Sequence, residues 1–116
     1  MRITTPLLAA TLTLLLPAPP AAAQTATDPA LQEWEVPYSQ SRPRDPMVAP
    51  DGRVWFVGQV GNYVSVLDPK TGSFEKFDMD EGVNPHNLIV DADGTVYYSG
   101  NRASHIGRLD PETGDV

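Results

Sequence analysis

From residue 43 onward, short apolar runs alternate with clusters of polar turn residues, and the runs recur. Met47-Val48-Ala49, Val54-Trp55-Phe56-Val57 and Val64 to Leu67 return as Leu88-Ile89-Val90, Val96-Tyr97-Tyr98 and Ile106 to Leu109. Residues 43–72 lie over residues 85–114 at a constant offset of 42, with no gap and identity at 11 of 30 positions. The shared residues include Asp51-Gly52 with Asp93-Gly94, and Leu67-Asp68-Pro69 with Leu109-Asp110-Pro111. Upstream, Trp34-Glu35-Val36 matches Phe77-Asp78-Met79 at an offset of 43, a partial third copy.

Each copy reads as four short strands. The first is continuously apolar, which predicts a strand buried on both faces. The Asp-Gly pair follows as a tight turn, where glycine takes positive φ without steric cost. The second and third strands are β-branched and aromatic. Asp-Pro-x-Thr-Gly, at 68–72 and 110–114, then connects to an outer strand that alternates from Phe74 to Met79. No segment has helical periodicity with a cap. Four antiparallel strands per unit of about 40 residues predict an all-β chain built of propeller blades. A β-sandwich also has short strands with regular turns, but it does not repeat the same turn chemistry at a fixed interval.

The first residues carry a different pattern. Arg2 precedes an uncharged apolar stretch from Pro6 to Leu16, then prolines, then Ala21-Ala22-Ala23 ahead of Gln24. This is the layout of a cleaved secretory signal over residues 1–23, and the stretch is too short for the roughly 20 apolar residues of a membrane span. Residues 24–30 read as a flexible leader. The expectation is a secreted or periplasmic protein with no membrane attachment after cleavage.

Composition narrows the chemistry. Without cysteine there is no disulfide scaffold, thiolate metal site or cysteine nucleophile. A formal charge of −7 argues against a nucleic-acid partner. Asp91-Ala92-Asp93-Gly94 lacks the further ligands of a calcium loop and reads as a turn. Asp78 to Glu81 reads as a solvated loop. The aromatic residues Trp55, Phe56, Tyr97 and Tyr98 recur at matching repeat positions, which predicts packing between blades rather than a ligand platform. His105 replaces Tyr63 and reads as a surface or interblade residue.

The strand and turn pattern of residues 43–72 and 85–114, above all Ile106-Gly107-Arg108-Leu109-Asp110-Pro111, resembles the streptogramin B lyase family. The resemblance covers residues 31–116; YVTN-type, NHL and gluconolactonase-like propellers share its turns. It implies a ring of about seven blades with chemistry at one end of a central channel. Family members open a cyclic depsipeptide ester by elimination, with a histidine moving the proton and Mg²⁺ held by glutamates. His86, after Pro85, matches the position of that histidine, and the resemblance makes it the candidate catalytic residue or a channel-lining residue. Arg44 holds the equivalent place one repeat earlier and is the candidate substrate-binding residue. The implied glutamate positions carry Asn84 and Gly100 in one copy and Arg42 and Gly58 in the other. These residues are therefore expected to hold no metal, although Mg²⁺ is implied for a complete lyase.

Two functions follow as expectations: a lyase of cyclic peptide esters in the complete ring, or a noncatalytic propeller binding a small molecule, peptide or protein at the channel mouth. Two blades are expected to be an incomplete ring, the N-terminal part of a longer chain whose remaining blades are its partners. Apolar faces lined by Val54, Phe56 and Ile106 would then lie open, inviting association.

Overall fold

The computed structural model describes residues 30–116, so the expected export signal and the leader through residue 29 lie outside the described residues. Within the unit Gln32–Val116 there are seven strands. They are β1 (Pro43–Val48), β2 (Val54–Gly58), β3 (Tyr63–Asp68), β4 (Ser73–Asp78), β5 (Pro85–Val90), β6 (Val96–Gly100) and β7 (His105–Leu109). No helix occurs among the described residues. Strands β1 to β4 form one antiparallel sheet in sequence order, here called sheet A, and β5 to β7 form a second, sheet B.

The two sheets repeat each other in register as well as in sequence. Pro43 pairs with Gly58 and Val48 with Val54; Pro85 pairs with Gly100 and Val90 with Val96. Both first strands carry a bulge near their start, between Arg44 and Met47 in one and, one repeat position earlier, between Pro85 and Leu88 in the other. The left-handed backbone positions recur at the same offset. Gly52 and Gly94 turn the hairpins as expected, and Gly72 and Gly114 end the Asp-Pro-x-Thr-Gly connections. Residues that are not glycine follow the same rule: Arg42 (φ 47°) with Asn84 (φ 43°), and Asn62 (φ 60°) with Ser104 (φ 55°). The backbone path is thus inherited by the repeat even where the residue is one that L-chirality disfavours there.

One face of each sheet builds the core. Trp55, Val57, Val64 and Val66 from sheet A meet Leu88, Val90, Val96, Tyr98 and Leu109 from sheet B, with Trp55 stacked on Phe77 at 5.6 Å. This is the interblade role expected of Trp55 and Tyr98. The expectation for the first strands fails on one side: Val48 is 64% exposed and Ile89 59%. Each of these strands has a sheet against one face, and the two residues point to the other.

The far face of sheet A is not open at Phe56, which is buried. Trp34, Val36 and Tyr38 alternate half-buried with exposed neighbours and lie along it. Tyr38 meets Tyr63 and Phe74 edge-on at 5.1 and 6.4 Å. Ile106, on the far face of sheet B, is open as expected, at 74% exposure.

Candidate functional site

The strand register places the candidate residues at one end of both sheets. The Asp-Gly hairpins close the opposite end, whereas Arg44 and His86 sit beside the bulges, where Pro43 and Pro85 pair with Gly58 and Gly100. Since β1 packs against β5, the two positions belong to neighbouring first strands. Both residues are half-buried. A bulge leaves one residue outside the ladder and re-aims its side chain, a common device beside binding sites. Arg44 donates from Nη1 to Gln59 Oε1 at 3.0 Å, and its Nε lies 3.7 Å from Asp45. Asp45 is left-handed (φ 48°) immediately before Pro46, and among the described residues of the first copy it is the left-handed one without a counterpart in the second. Strain of this kind is kept only where surrounding contacts hold it.

Beside His86, the implied glutamate positions serve the fold. Asn84 donates from Nδ2 to the Gln59 carbonyl at 3.0 Å, and its backbone N–H donates to Asn62 Oδ1 at 2.7 Å. Asn62 in turn donates from Nδ2 to the carbonyls of Met79 and Asp80, at 3.0 and 2.9 Å. One side chain thereby fastens the linker between the sheets to the β2–β3 turn. The expected solvated loop at 78–81 is thus anchored, with Met79 buried. Sequence reasoning missed Asn62, because the partners lie 17 to 22 residues away and the equivalent residue is Ser104.

Gly58 and Gly100 lie under rings. A Cβ on Gly58 would come within 2.0 Å of the Tyr63 ring, and one on Gly100 within 2.5 Å of His105. Tyr63 is buried and shares a hydrogen bond with Ser41, and burial pushes its phenol above the ordinary value of 10.0. His105 is exposed and meets Tyr98 edge-on at 5.9 Å, so it is a surface residue.

The donor set does not fit Mg²⁺. Among the described residues no cluster of three Asp, Glu or His side chains converges, and the implied positions carry a committed amide and covered glycines. No ion pair reaches His86 among the described residues. At the hairpin end the chemistry is acidic but internal to the turns. The Arg53 backbone N–H, then its guanidinium, hold Asp51 below its ordinary value. A hydrogen bond with Asp91, then bonds from Thr95, hold Asp93 down to about 2. The expectation that residues 91–94 form a turn agrees with Thr95 donating back to both aspartates.

Sequence-ordered antiparallel sheets, repeated at a 42-residue interval and packed face to face, define blades of a β-propeller. The described residues hold one four-stranded blade and three strands of the next. Among solved structures, the chain is similar to a streptogramin B lyase at TM-score 0.58 and 22% identity, over 72% of this chain and 32% of that one. It is also similar to a catalytically inactive virginiamycin B lyase from Staphylococcus aureus with quinupristin. That match has TM-score 0.56 and 18% identity, over 71% of this chain and 31% of that one. The selenomethionine-substituted lyase from the same organism gives TM-score 0.56 and 18% identity, over 72% and 32%. The chain therefore spans about a third of the length of these structures. No family model and no curated protein matches it. At these identities the likeness establishes the fold.

Proposed function

We propose that this chain supplies a ligand-binding wall of an exported β-propeller that takes a cyclic peptide at its channel mouth. The observation that carries this is that Arg44 and His86 occupy equivalent repeat positions, both half-buried, Arg44 at the edge of one first-strand bulge and His86 within the other, on neighbouring strands at one end of the blades. Arg44 offers a planar donor fork for ester and amide carbonyls, and His86 offers one donor and one acceptor when neutral. The similarity to a lyase solved with quinupristin supports the choice of ligand class. The two blades provide walls and no metal ligands, so elimination, if the complete ring performs it, draws its base and its metal from elsewhere. Export follows from the Arg2 to Ala23 layout.

A second reading, a noncatalytic propeller, uses the same wall residues and needs no base or metal; Asn84 and Gly100 beside His86 are compatible with either reading. The test is a titration of the whole protein with a cyclic depsipeptide, followed by mass analysis of the peptide. Binding with ring opening selects the lyase, binding without it selects the second reading, and no binding overturns the proposed cyclic-peptide ligand. Arg44→Ala and His86→Ala should each weaken binding about tenfold, with kcat, where there is turnover, nearly unchanged, because wall contacts bind ground and transition states alike. A loss of turnover by several orders of magnitude on His86→Ala would make it the base.

A further inference from the structure

The β2–β3 turn is bonded to the entry of both first strands, and Gln59, at its start, touches both. The Gln59 N–H donates to the Arg42 carbonyl at 3.3 Å, and its Oε1 accepts from Arg44 Nη1 at 3.0 Å. Its carbonyl accepts from Asn84 Nδ2 at 3.0 Å. Arg42 stands two residues before Arg44, and Asn84 two before His86. The rest of the turn is fastened on the same two sides. Gly61 N–H donates to the Ser41 carbonyl at 3.4 Å, and Asn62 donates across the linker to Met79 and Asp80. The blade itself does not require glutamine at this place. Its counterpart in the second copy is Asn101, one methylene shorter and exposed. That turn keeps the same strand register, Gly100 with His105 as Gly58 with Tyr63, and the same left-handed residue three places on.

We propose that Gln59 is a positioning residue: it fixes the orientation of the Arg44 guanidinium and indexes it to the start of β5, where His86 stands. An unheld arginine loses more side-chain entropy than most residues when a ligand immobilises it. A bond at Nη1 removes much of that freedom beforehand and sets the plane of the donor fork. The amide suits this task because it is neutral, so it orders the guanidinium without compensating its charge. Asp45 supplies little of the ordering, since its contact with Nε, at 3.7 Å, is too long for a hydrogen bond. The main chain of Gln59 is tied to the entries of β1 and β5 alike, so Arg44 is held relative to the neighbouring blade as well as to its own strand. With Nη1 engaged, Nη2 still carries two donors for a carbonyl. The value of this for binding rests on the reading of Arg44 as a wall contact; the positioning itself does not.

The whole protein, carrying ¹⁵N-arginine, reports the orientation directly by NMR, with Arg44→Lys assigning the signal by its loss. In the wild type without ligand, Nη1 and Nη2 of Arg44 should give separate resonances, because rotation about the Nε–Cζ bond breaks the bond to Gln59. Gln59→Leu should accelerate their exchange about tenfold or more, the factor that one hydrogen bond to a charged group represents. Gln59→Glu should keep it slow, because a carboxylate accepts at the same place. Asn84→Gly retains the left-handed backbone and should accelerate exchange by a smaller factor, about threefold. Merged resonances in the wild type, or equal rates in the wild type and Gln59→Leu, would overturn the positioning. A wild-type rate in Asn84→Gly would overturn the link to β5. Titration with a cyclic depsipeptide reads the consequence: where the wild type binds, Gln59→Leu should bind about tenfold more weakly, and equal binding with freed rotation would count against any role in recognition. A wild type that binds nothing while the rotation stays slow would strike the ligand reading and leave the positioning standing.

Discussion

The same substitution at two equivalent glycines should have opposite weight. Gly58→Ala forces the Tyr63 ring off the strand, since a Cβ would lie 2.0 Å from it. Tyr63 has nowhere to go: it is 1% exposed, bonded to Ser41, and edge-on to Tyr38 at 5.1 Å and Phe56 at 6.3 Å. One hydrogen bond at about 1 kcal/mol, two aromatic contacts weakened by about 0.5 kcal/mol each and an overpacking cost of about 1 kcal/mol sum to about 3 kcal/mol. For a domain of this size that lowers Tm by roughly 12–24 °C. The atoms nearest a Cβ on Gly100 belong to His105, an exposed ring with one edge contact that should be free to swing into solvent. The cost of Gly100→Ala should stay below about 1 kcal/mol. Thermal melts followed by circular dichroism, with urea titrations at a fixed protein concentration, measure both. Equal losses, or a neutral Gly58→Ala, would refute the assignment of Tyr63 as the locked ring.

Asn62→Ala should destabilise by about 3 kcal/mol in urea titrations, through three lost hydrogen bonds and a left-handed alanine; Asn62→Gly should recover the backbone part. Burial raises the phenols of Tyr63 and Tyr98 above 10.0. Their contribution is therefore complete below pH 10 and lost as pH rises through the folded values, so urea midpoints should fall above pH 10 and hold steady just below it. N-terminal sequencing of exported protein should begin at or near Gln24; material starting at Met1 would remove the case for export.

What was legible in the sequence follows from what repeats. Asp51-Gly52 and Asp93-Gly94 dictate their hairpins locally, and the apolar runs between them are set by alternation, so strands, turns and sheet order could be read directly. Burial of the first strands could not. Met47-Val48-Ala49 says that the segment is apolar, but whether Val48 is covered depends on how many sheets flank it. Phe56 is buried for the converse reason: nothing in Trp34 to Tyr38 announces which face the segment will cover. At the site, position within the repeat located Arg44 and His86 at one end. The interactions of Asn62 and Asn84 lie across the linker, and only the folded chain brings those partners together.

The strictly sequential order of the strands has a consequence for how the chain folds. Every ladder joins neighbours along the sequence, so loop closures are short and each sheet can form from local pairings. Sheet A is complete once Asp78 is available, whether the chain emerges from a ribosome or from an export pore. The face carrying Trp55 and Val64 then waits for β5 to β7 to arrive. At about 5–20 residues per second, that interval lasts roughly 2–6 s on a ribosome. During those seconds the nascent chain displays the very surface that its own second sheet will cover, and the chance of mispairing is set by emergence rate as much as by final stability.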